Sequence, residues 1–243
     1  MTELRDAVLA AQLIPAQAAC EAFLREELQT LFCRLQYRRT HCGNAAQRSE
    51  LDALLQICRL KLRALQNALD AAAPPQTTAC HDLAALLEDL CCAASILLRR
   101  KQLLLLADDV PLHARFHAQT LLRCLCNLLA NALLHGKGDM VFVLLRPAQT
   151  QVLVSVVSGG SCPAAQFAAH CARHGSGLCA AEALARANGG RLLTHNSAAG
   201  DAHFTLSLPR SFSVDPSAAK VPDFTDLLCD RLSVLAVGLC GVV

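Results

Sequence analysis

Apolar residues recur at helical spacing in two stretches near the start of the chain, Cys20 to Arg39 and Glu50 to Ala72. They fall at Leu24, Leu28, Leu31 and Leu35, and then at Leu51, Leu55, Cys58, Leu62, Leu65 and Leu69. Steps of three and four residues are typical of helices that pack along one seam. The polar segment Thr40 to Gln47 predicts a short turn between them, so the pair should form a helical hairpin.

A lone hairpin leaves its apolar seam uncovered. Pairing with a second copy would close it as a four-helix bundle, which predicts a homodimer. The alternative is a hairpin that the C-terminal part of the same chain covers.

Two adjacent prolines, Pro74 and Pro75, predict the end of the second helix and a domain boundary. We therefore divide the chain into an N-terminal segment (1–19), the hairpin (20–72), a linker (73–82), a globular domain (83–210) and a linker with an apolar tail (211–243). The tail is expected to dock on the globular domain, because an exposed apolar segment favours aggregation. A partner protein or a membrane surface are the alternatives.

The globular domain alternates helical and strand patterns. Asp82 is a predicted N-cap for a helix to about Arg100, and 102–109 predicts a buried strand. A helix over 112–134 follows, then the β-rich runs MVFVLLRP and QVLVSVVS, a helix over 178–188 that ends at two glycines, and the strands RLLTHNS and HFTLSLP. This order predicts an α+β fold in which helices lie against one mostly antiparallel sheet.

Charge and composition exclude some functions. A net charge of +2 with 17% charged residues supplies no basic stripe for nucleic-acid phosphates. The first residues lack the features of a signal peptide, and no apolar run approaches the length of a transmembrane helix, so a cytoplasmic protein without a transmembrane segment is expected. The 14 cysteines include no CxxC pair, and the cluster His170, Cys171 and His174 offers zinc ligands from one segment alone. Cysteines buried as small apolar side chains are the preferred interpretation.

Candidate chemistry lies in three short motifs. In NLLANALLHG, Asn127 and Asn131 are four residues apart and share one helix face, where their oxygens could help to hold Mg²⁺ beside phosphate. The same pair also suits an ordinary polar seam. GSGL, with Gly175 and Gly177, directly precedes a helix whose N-terminus would favour a phosphate, although taken alone this motif is better interpreted as a plain flexible turn. The third motif, SVVSGGSCP, is a strand that runs into a glycine turn.

The order of these motifs resembles the ATP-binding domain of histidine kinases, within the Bergerat-fold ATPases that include gyrase. NLLANALLH is similar to the N box, SGGSCP stands at the DxGxG box, GSGLCAAEALARANGGRL resembles the GLGL segment, and GDAHFTLSLP resembles the closing strand. The resemblance covers about Asp82 to Pro209, and the hairpin before it matches the dimerisation element. It implies a helical hairpin in a dimeric bundle, followed by an α/β sandwich of the histidine kinase ATPase type.

The resemblance also implies roles for particular residues. ATP and Mg²⁺ would be the cofactors, with Asn127 and Asn131 as the Mg²⁺ and phosphate contacts. Gly159 or Gly160 would form the turn beside adenine, and Gly175 and Gly177 would lie under the phosphates. His135, just past the second asparagine, would approach the nucleotide or else be an exposed residue at the helix end.

Several positions depart from the family pattern. Ser158 replaces the aspartate that accepts a hydrogen bond from the adenine amino group, Leu134 replaces a frequent lysine, and Arg173 replaces the first glycine of the GxGLGL pattern. The lid segment is short. Glu26 stands where the family places its phosphate-accepting histidine.

These departures favour one hypothesis over two others. The first is a histidine-kinase-like signalling protein of a two-component or phosphorelay system, acting as a pseudokinase or scaffold that binds a response-regulator receiver domain or another kinase. The second is an active soluble histidine kinase with a short lid. The third is a nucleotide-free dimeric interaction protein.

Overall fold

The computed structural model describes residues 23–71 except 25 and 29, and 78–98, 101–107, 111–136, 138–159, 177–197, 202–213, 221–229, 233–240 and 242. The chain divides into two compact units, Met1–Leu69 and Asp70–Val243. None of the helices in these ranges combines the length and hydropathy needed to cross a bilayer.

The first unit contains two helices, α1 over described residues between 23 and 41 and α2 over Ala45–Ala71. The turn is shorter than predicted, because Thr40 stays helical and its Oγ1 donates to Gln36 O at 2.9 Å. Asn44 Oδ1 then accepts from Ala46 N at 2.9 Å and begins α2.

The seam of this hairpin differs from the predicted one at one position. Phe32 is buried, whereas the predicted seam residue Leu31 is exposed. The Arg59 guanidinium lies over the Phe32 ring at 4.8 Å from its centroid, which covers the ring on the inner face of the hairpin.

The second unit is built on a seven-stranded mixed sheet. Its elements run in chain order β1 (Ala79–Asp82), α3 (Leu83–Leu97), β2 (Gln102–Ala107), β3 (His113–Phe116), α4 (Ala118–His135), β4 (Met140–Pro147), β5 (Gln151–Ser158), α5 (Gly177–Ala187), β6 (Arg191–Asn196), β7 (Ala202–Ser211), α6 (Phe224–Cys229) and α7 (Val234–Gly238). The strand order is β1-β3-β7-β5-β4-β2, with β6 also paired to β7. Among the described strands, β2 and β4 form the one parallel pair, so the predicted mostly antiparallel character is confirmed.

Three sequence predictions in this unit were wrong. Residues 79–82, assigned to the linker, form β1, and the start of the predicted asparagine helix is the separate strand β3. Both strands have four residues, too few for a period-2 pattern to stand out. The strand β2 is not buried: Leu103 alone is buried there, because β2 lies at the edge of the sheet.

Other local predictions are confirmed. Asp82 caps α3, its Oδ1 accepting from Ala85 N at 3.1 Å. Helix α5 ends at Gly189, whose φ of 70° is left-handed and favours glycine. Strands β4 and β5 form the predicted hairpin, and β6 pairs with β7.

The apolar tail docks on the second unit. Leu227, Leu235 and Leu239 join the same hydrophobic core as α3 and α4. Ser233 connects the two tail helices, because its Oγ donates to Leu227 O at 2.7 Å and accepts from Ala236 N at 3.1 Å. Docking on the globular domain is therefore the alternative that the structure supports.

Candidate functional site

Helix α4 carries both candidate asparagines. One broad face of it is buried against the sheet and α5, including Leu125, Leu128 and Leu129. Asn127 is buried with this face at 3% exposure, and Asn131, one turn later, is half-buried. The shared helix face that the sequence predicts is therefore present.

The side-chain amide nitrogen of Asn131 is inaccessible to solvent and has no hydrogen-bond partner in the described part of the chain. An unpaired buried donor costs about 1–3 kcal/mol. An acceptor that reached this nitrogen, such as a phosphate oxygen, would remove this cost.

The C-terminal end of α4 is tied to the neighbouring loop. The Lys101 ammonium donates to Leu133 O and, at 3.3 Å, to Gly136 O. A cation at this position interacts favourably with the helix dipole. Leu134, where the histidine kinase pattern often has lysine, is exposed. The Lys101 ammonium, on a different segment, is bonded to backbone carbonyls at the end of this helix.

Gly136 brings the end of α4 against the end of β5. A Cβ built on Gly136 would lie 2.9 Å from Ser158 Cβ, which is closer than real Cβ atoms approach, and 3.2 Å from Ser158 Oγ, which is a tight contact. Only glycine fits this gap without a backbone shift. Ser158 is itself 3% exposed, so its hydroxyl lies in a packed corner rather than in open solvent.

Gly159, the residue after Ser158, lies beside Gly138 in the loop after α4. The motifs predicted no role for Lys101, which lies outside all of them, or for Gly136, which is the last residue of NLLANALLHG. The glycine directly after the asparagine helix was the available signal for a close backbone approach.

Helix α5 runs antiparallel to α4. Cys124 Sγ contacts Ala181 O at 3.3 Å, and Asn188 Oδ1 at the end of α5 accepts from His117 N at 2.7 Å, directly before α4. Gly177, the first residue of α5, therefore lies toward the half of α4 that carries the asparagines. Gly160, Gly175 and the remainder of the predicted lid lie outside the described residues.

The other candidates are spread over the chain. His135 is exposed at the last position of α4. Glu26 is an exposed residue of α1 in the first unit. In the described ranges no group of three or more His, Cys, Asp or Glu side chains could hold a metal ion, and the HCARH segment lies outside them.

The N-cap of α4 is His117, so the hydrogen bond that caps this helix depends on pH. Its ring nitrogen Nδ1 caps the helix by accepting from Thr120 N at 3.4 Å. Burial, and then the nearby Arg123 guanidinium, lower the pKa of this imidazole. A protonated ring could not accept this bond and would place a positive charge at the helix N-terminus.

Stability should consequently fall as the pH drops below the unfolded histidine pKa of about 6.5. The unfolded chain binds the proton more readily there, so the free energy of unfolding is highest above that pH and decreases toward the lower folded pKa. Urea unfolding at pH values from about 8 to 5.5 measures this, and a His117→Asn variant, which keeps a capping oxygen, should show a flatter profile. Equal slopes for the two proteins would contradict the role given to His117.

No protein-family profile matches the chain, and no curated protein matches it. Solved structures do match. Full-length ShkA, in complex with AMPPNP, is 20% identical with a TM-score of 0.62 over 82% of this chain and 46% of its own. This chain thus spans less than half the length of ShkA. The histidine kinase AdeS of Acinetobacter baumannii is 13% identical with a TM-score of 0.57, covering 75% of this chain and 94% of its own.

The ATP-binding domain of PrrB from Mycobacterium tuberculosis is 20% identical with a TM-score of 0.50. The match covers 56% of this chain and 99% of that domain. At these identities the likeness shows the fold, and it confirms the predicted α+β class with a helical region followed by a sandwich of the histidine kinase ATPase type.

Proposed function

We propose that this chain, which has the fold of a histidine kinase ATP-binding domain with a helical region before it, is a histidine-kinase-like signalling protein with a degenerate nucleotide site. It acts in a two-component or phosphorelay system as a pseudokinase or scaffold. Its hairpin binds a response-regulator receiver domain or another kinase.

One observation carries this proposal: Glu26 stands on an exposed face of α1 where the family pattern expects histidine. A histidine ring nitrogen takes a phosphoryl group as a phosphoramidate, which a carboxylate cannot form. The only histidine from residue 23 to residue 71 is His41. Its ring lies at the end of α1, 4.1 Å from the Tyr37 ring, and its Nδ1 is 2.8 Å from Tyr37 O.

The residues at the end of α4 fit ATP and Mg²⁺. The unpaired Asn131 donor suits a phosphate oxygen, and the carboxamide oxygens of Asn127 and Asn131 are ligands of the hard type that Mg²⁺ takes together with phosphate and water. Gly175 and Gly177 would lie under the phosphates at the start of α5, and Gly159 or Gly160 would form the turn beside adenine. Bound nucleotide would bias the conformation of the protein rather than supply a phosphoryl group.

The hairpin is proposed to form the homodimer. It exposes several large apolar side chains that a second copy would cover, namely Phe23, Leu31, Tyr37, Leu54, Ile57 and Leu60. A receiver domain would then meet the outer surface of the four-helix bundle.

The two other hypotheses, an active kinase and a nucleotide-free interaction protein, each have an observation in their favour. The asparagine pair and the unpaired Asn131 donor favour an active kinase, in which Ser158 and the short lid still suffice. The burial of Asn127 favours a polar core residue in a domain that binds no nucleotide.

A phosphotransfer assay separates these hypotheses. Incubated with Mg²⁺ and ATP labelled at the γ-phosphate, the purified protein should acquire no phosphohistidine label, because its hairpin has no histidine at position 26. An active histidine kinase in the same buffer is the positive control. Label that survives alkali, is lost in acid and disappears in Asn131→Ala would show an active kinase instead.

A further inference from the structure

Among the described residues of the second unit, the helices that pack on the sheet all lie on one of its two faces. Helices α3, α4 and α5 pack on the inner face, where alternate strand residues such as Val143 and Val154 are buried. The intervening residues point the other way. We define the outer sheet face by its large apolar side chains: Leu104, Leu106, Phe142, Leu144, Leu153, Val157 and Leu193.

These side chains form neighbouring pairs across the strands. Leu104 is paired with Phe142, and Leu106 with Leu144, in the register of β2 and β4. Leu106 is 52% exposed and Leu193, on β6, is 57% exposed. Contiguous exposed apolar residues of this kind mark interaction surfaces more often than isolated ones do.

On the outer sheet face, small polar residues of β7 lie between Leu193 on β6 and the apolar side chains of β5. Thr205 and Ser207 are only 9% and 4% exposed although they belong to the outer sheet face. Thr205 Oγ1 is 2.8 Å from Ser155 Oγ, and Ser207 Oγ accepts from Arg191 N at 3.2 Å. These small side chains therefore have hydrogen-bond partners, and they lie lower on the face than the larger leucines of the neighbouring strands.

The charged side chains on the strands of this face are all positive. The strands β2, β4, β5, β6 and β7 contain no aspartate or glutamate in their described ranges. Arg146 and Arg191 lie in one register row, Arg146-Leu153-Ser207-Arg191, at one end of the face. A second copy of the face would offer no carboxylates to these arginines, so a self-complementary contact is disfavoured.

We propose that the outer sheet face binds an amphipathic helix of a partner protein that carries leucine-type side chains on one side and carboxylates beside them. The leucines would cover the apolar pairs, and the carboxylates would meet Arg146 and Arg191. A helix suits the face because it satisfies its own backbone groups, and those of the central strands are already paired in the sheet. The proposal does not depend on nucleotide binding.

Fluorescence anisotropy with the whole 243-residue chain tests this. The probe is a fluorescein-labelled synthetic helix of about 18 residues with leucines on one face and glutamates on the other. We expect saturable binding, at least about tenfold weaker binding of the same helix with lysines for glutamates, and a similar loss in Leu106→Ser and in Arg191→Glu. Ile96→Ser is the matched control, because Ile96 is 61% exposed but lies on α3, and this variant should bind as the wild type does.

Circular dichroism confirms that each variant is folded. No saturation at about 1 mM protein, equal binding of the two peptides, or an equal loss in Ile96→Ser would overturn the proposal. So would a self-association of the wild-type protein that Leu106→Ser abolishes, since it would assign the face to a second copy. Binding to phosphatidylglycerol vesicles that Leu106→Ser abolishes, without peptide binding, would assign it to a membrane surface.

Discussion

Replacing Gly136 by alanine should lower the free energy of unfolding by about 2–3 kcal/mol. The added Cβ would lie 2.4 Å from Ala132 O and 2.9 Å from Ser158 Cβ. Ala132 O is a backbone atom that already accepts from Gly136 N at 2.9 Å, so it cannot move away without loss of that bond. The end of α4 must therefore separate from β5.

The loop itself provides the control. A Cβ on Gly138 would meet nothing closer than Met140 N at 3.8 Å, so Gly138→Ala should change stability by less than about 1 kcal/mol. Urea denaturation of both variants measures the difference. If the two alanines have equal effects, the close approach of α4 to β5 is not as described.

Replacing Ser158 by aspartate should tighten ATP binding by about 1–3 kcal/mol, which is about five- to 150-fold. Under the proposed function a carboxylate at the end of β5 accepts a charge-assisted hydrogen bond from the adenine amino group, where the serine hydroxyl forms a weaker neutral one. Guanine presents an acceptor at that position, so GTP should gain nothing. Calorimetric titration with the two nucleotides gives the comparison.

Without nucleotide, the Ser158→Asp substitution should lower the free energy of unfolding. Ser158 is buried against Gly136, and an unpaired carboxylate there loses its hydration. We expect the nucleotide-free variant to be less stable than the wild type and to recover with ATP by mass action. Ser158→Ala is the matched control and should bind ATP no better than the wild type. An equal gain for ATP and GTP would contradict the placement of adenine beside Ser158.

Long periodic segments were predictable from the sequence. The hairpin helices, α4, α5 and the strand pairs β4-β5 and β6-β7 each repeat one spacing over enough residues to identify the element. The Asp82 cap and the glycine end of α5 were also predictable, since both depend on local backbone chemistry. The motif order then indicated the fold.

Features that depend on distant contacts were not predictable. Strands β1 and β3 are short and exist because β3 pairs with β1 and β7, far away in sequence. The exposure of β2 follows from its position at the sheet edge, which its leucine-rich composition does not reveal. In the candidate site, the roles of Lys101 and Gly136 depend on contacts among α4, β5 and the loop before β2, which are distant in sequence.

Calorimetric titration of the purified protein with ATP in Mg²⁺, and then in EDTA, tests whether the second unit binds nucleotide. We expect saturable binding in Mg²⁺ that weakens in EDTA and is lost in Asn131→Ala, because that variant removes the unpaired buried donor of α4. Leu134→Ala, an exposed change on the same helix, should leave binding unaltered. No heat and no saturation at millimolar ATP would contradict a surviving nucleotide site and leave a dimeric scaffold without nucleotide.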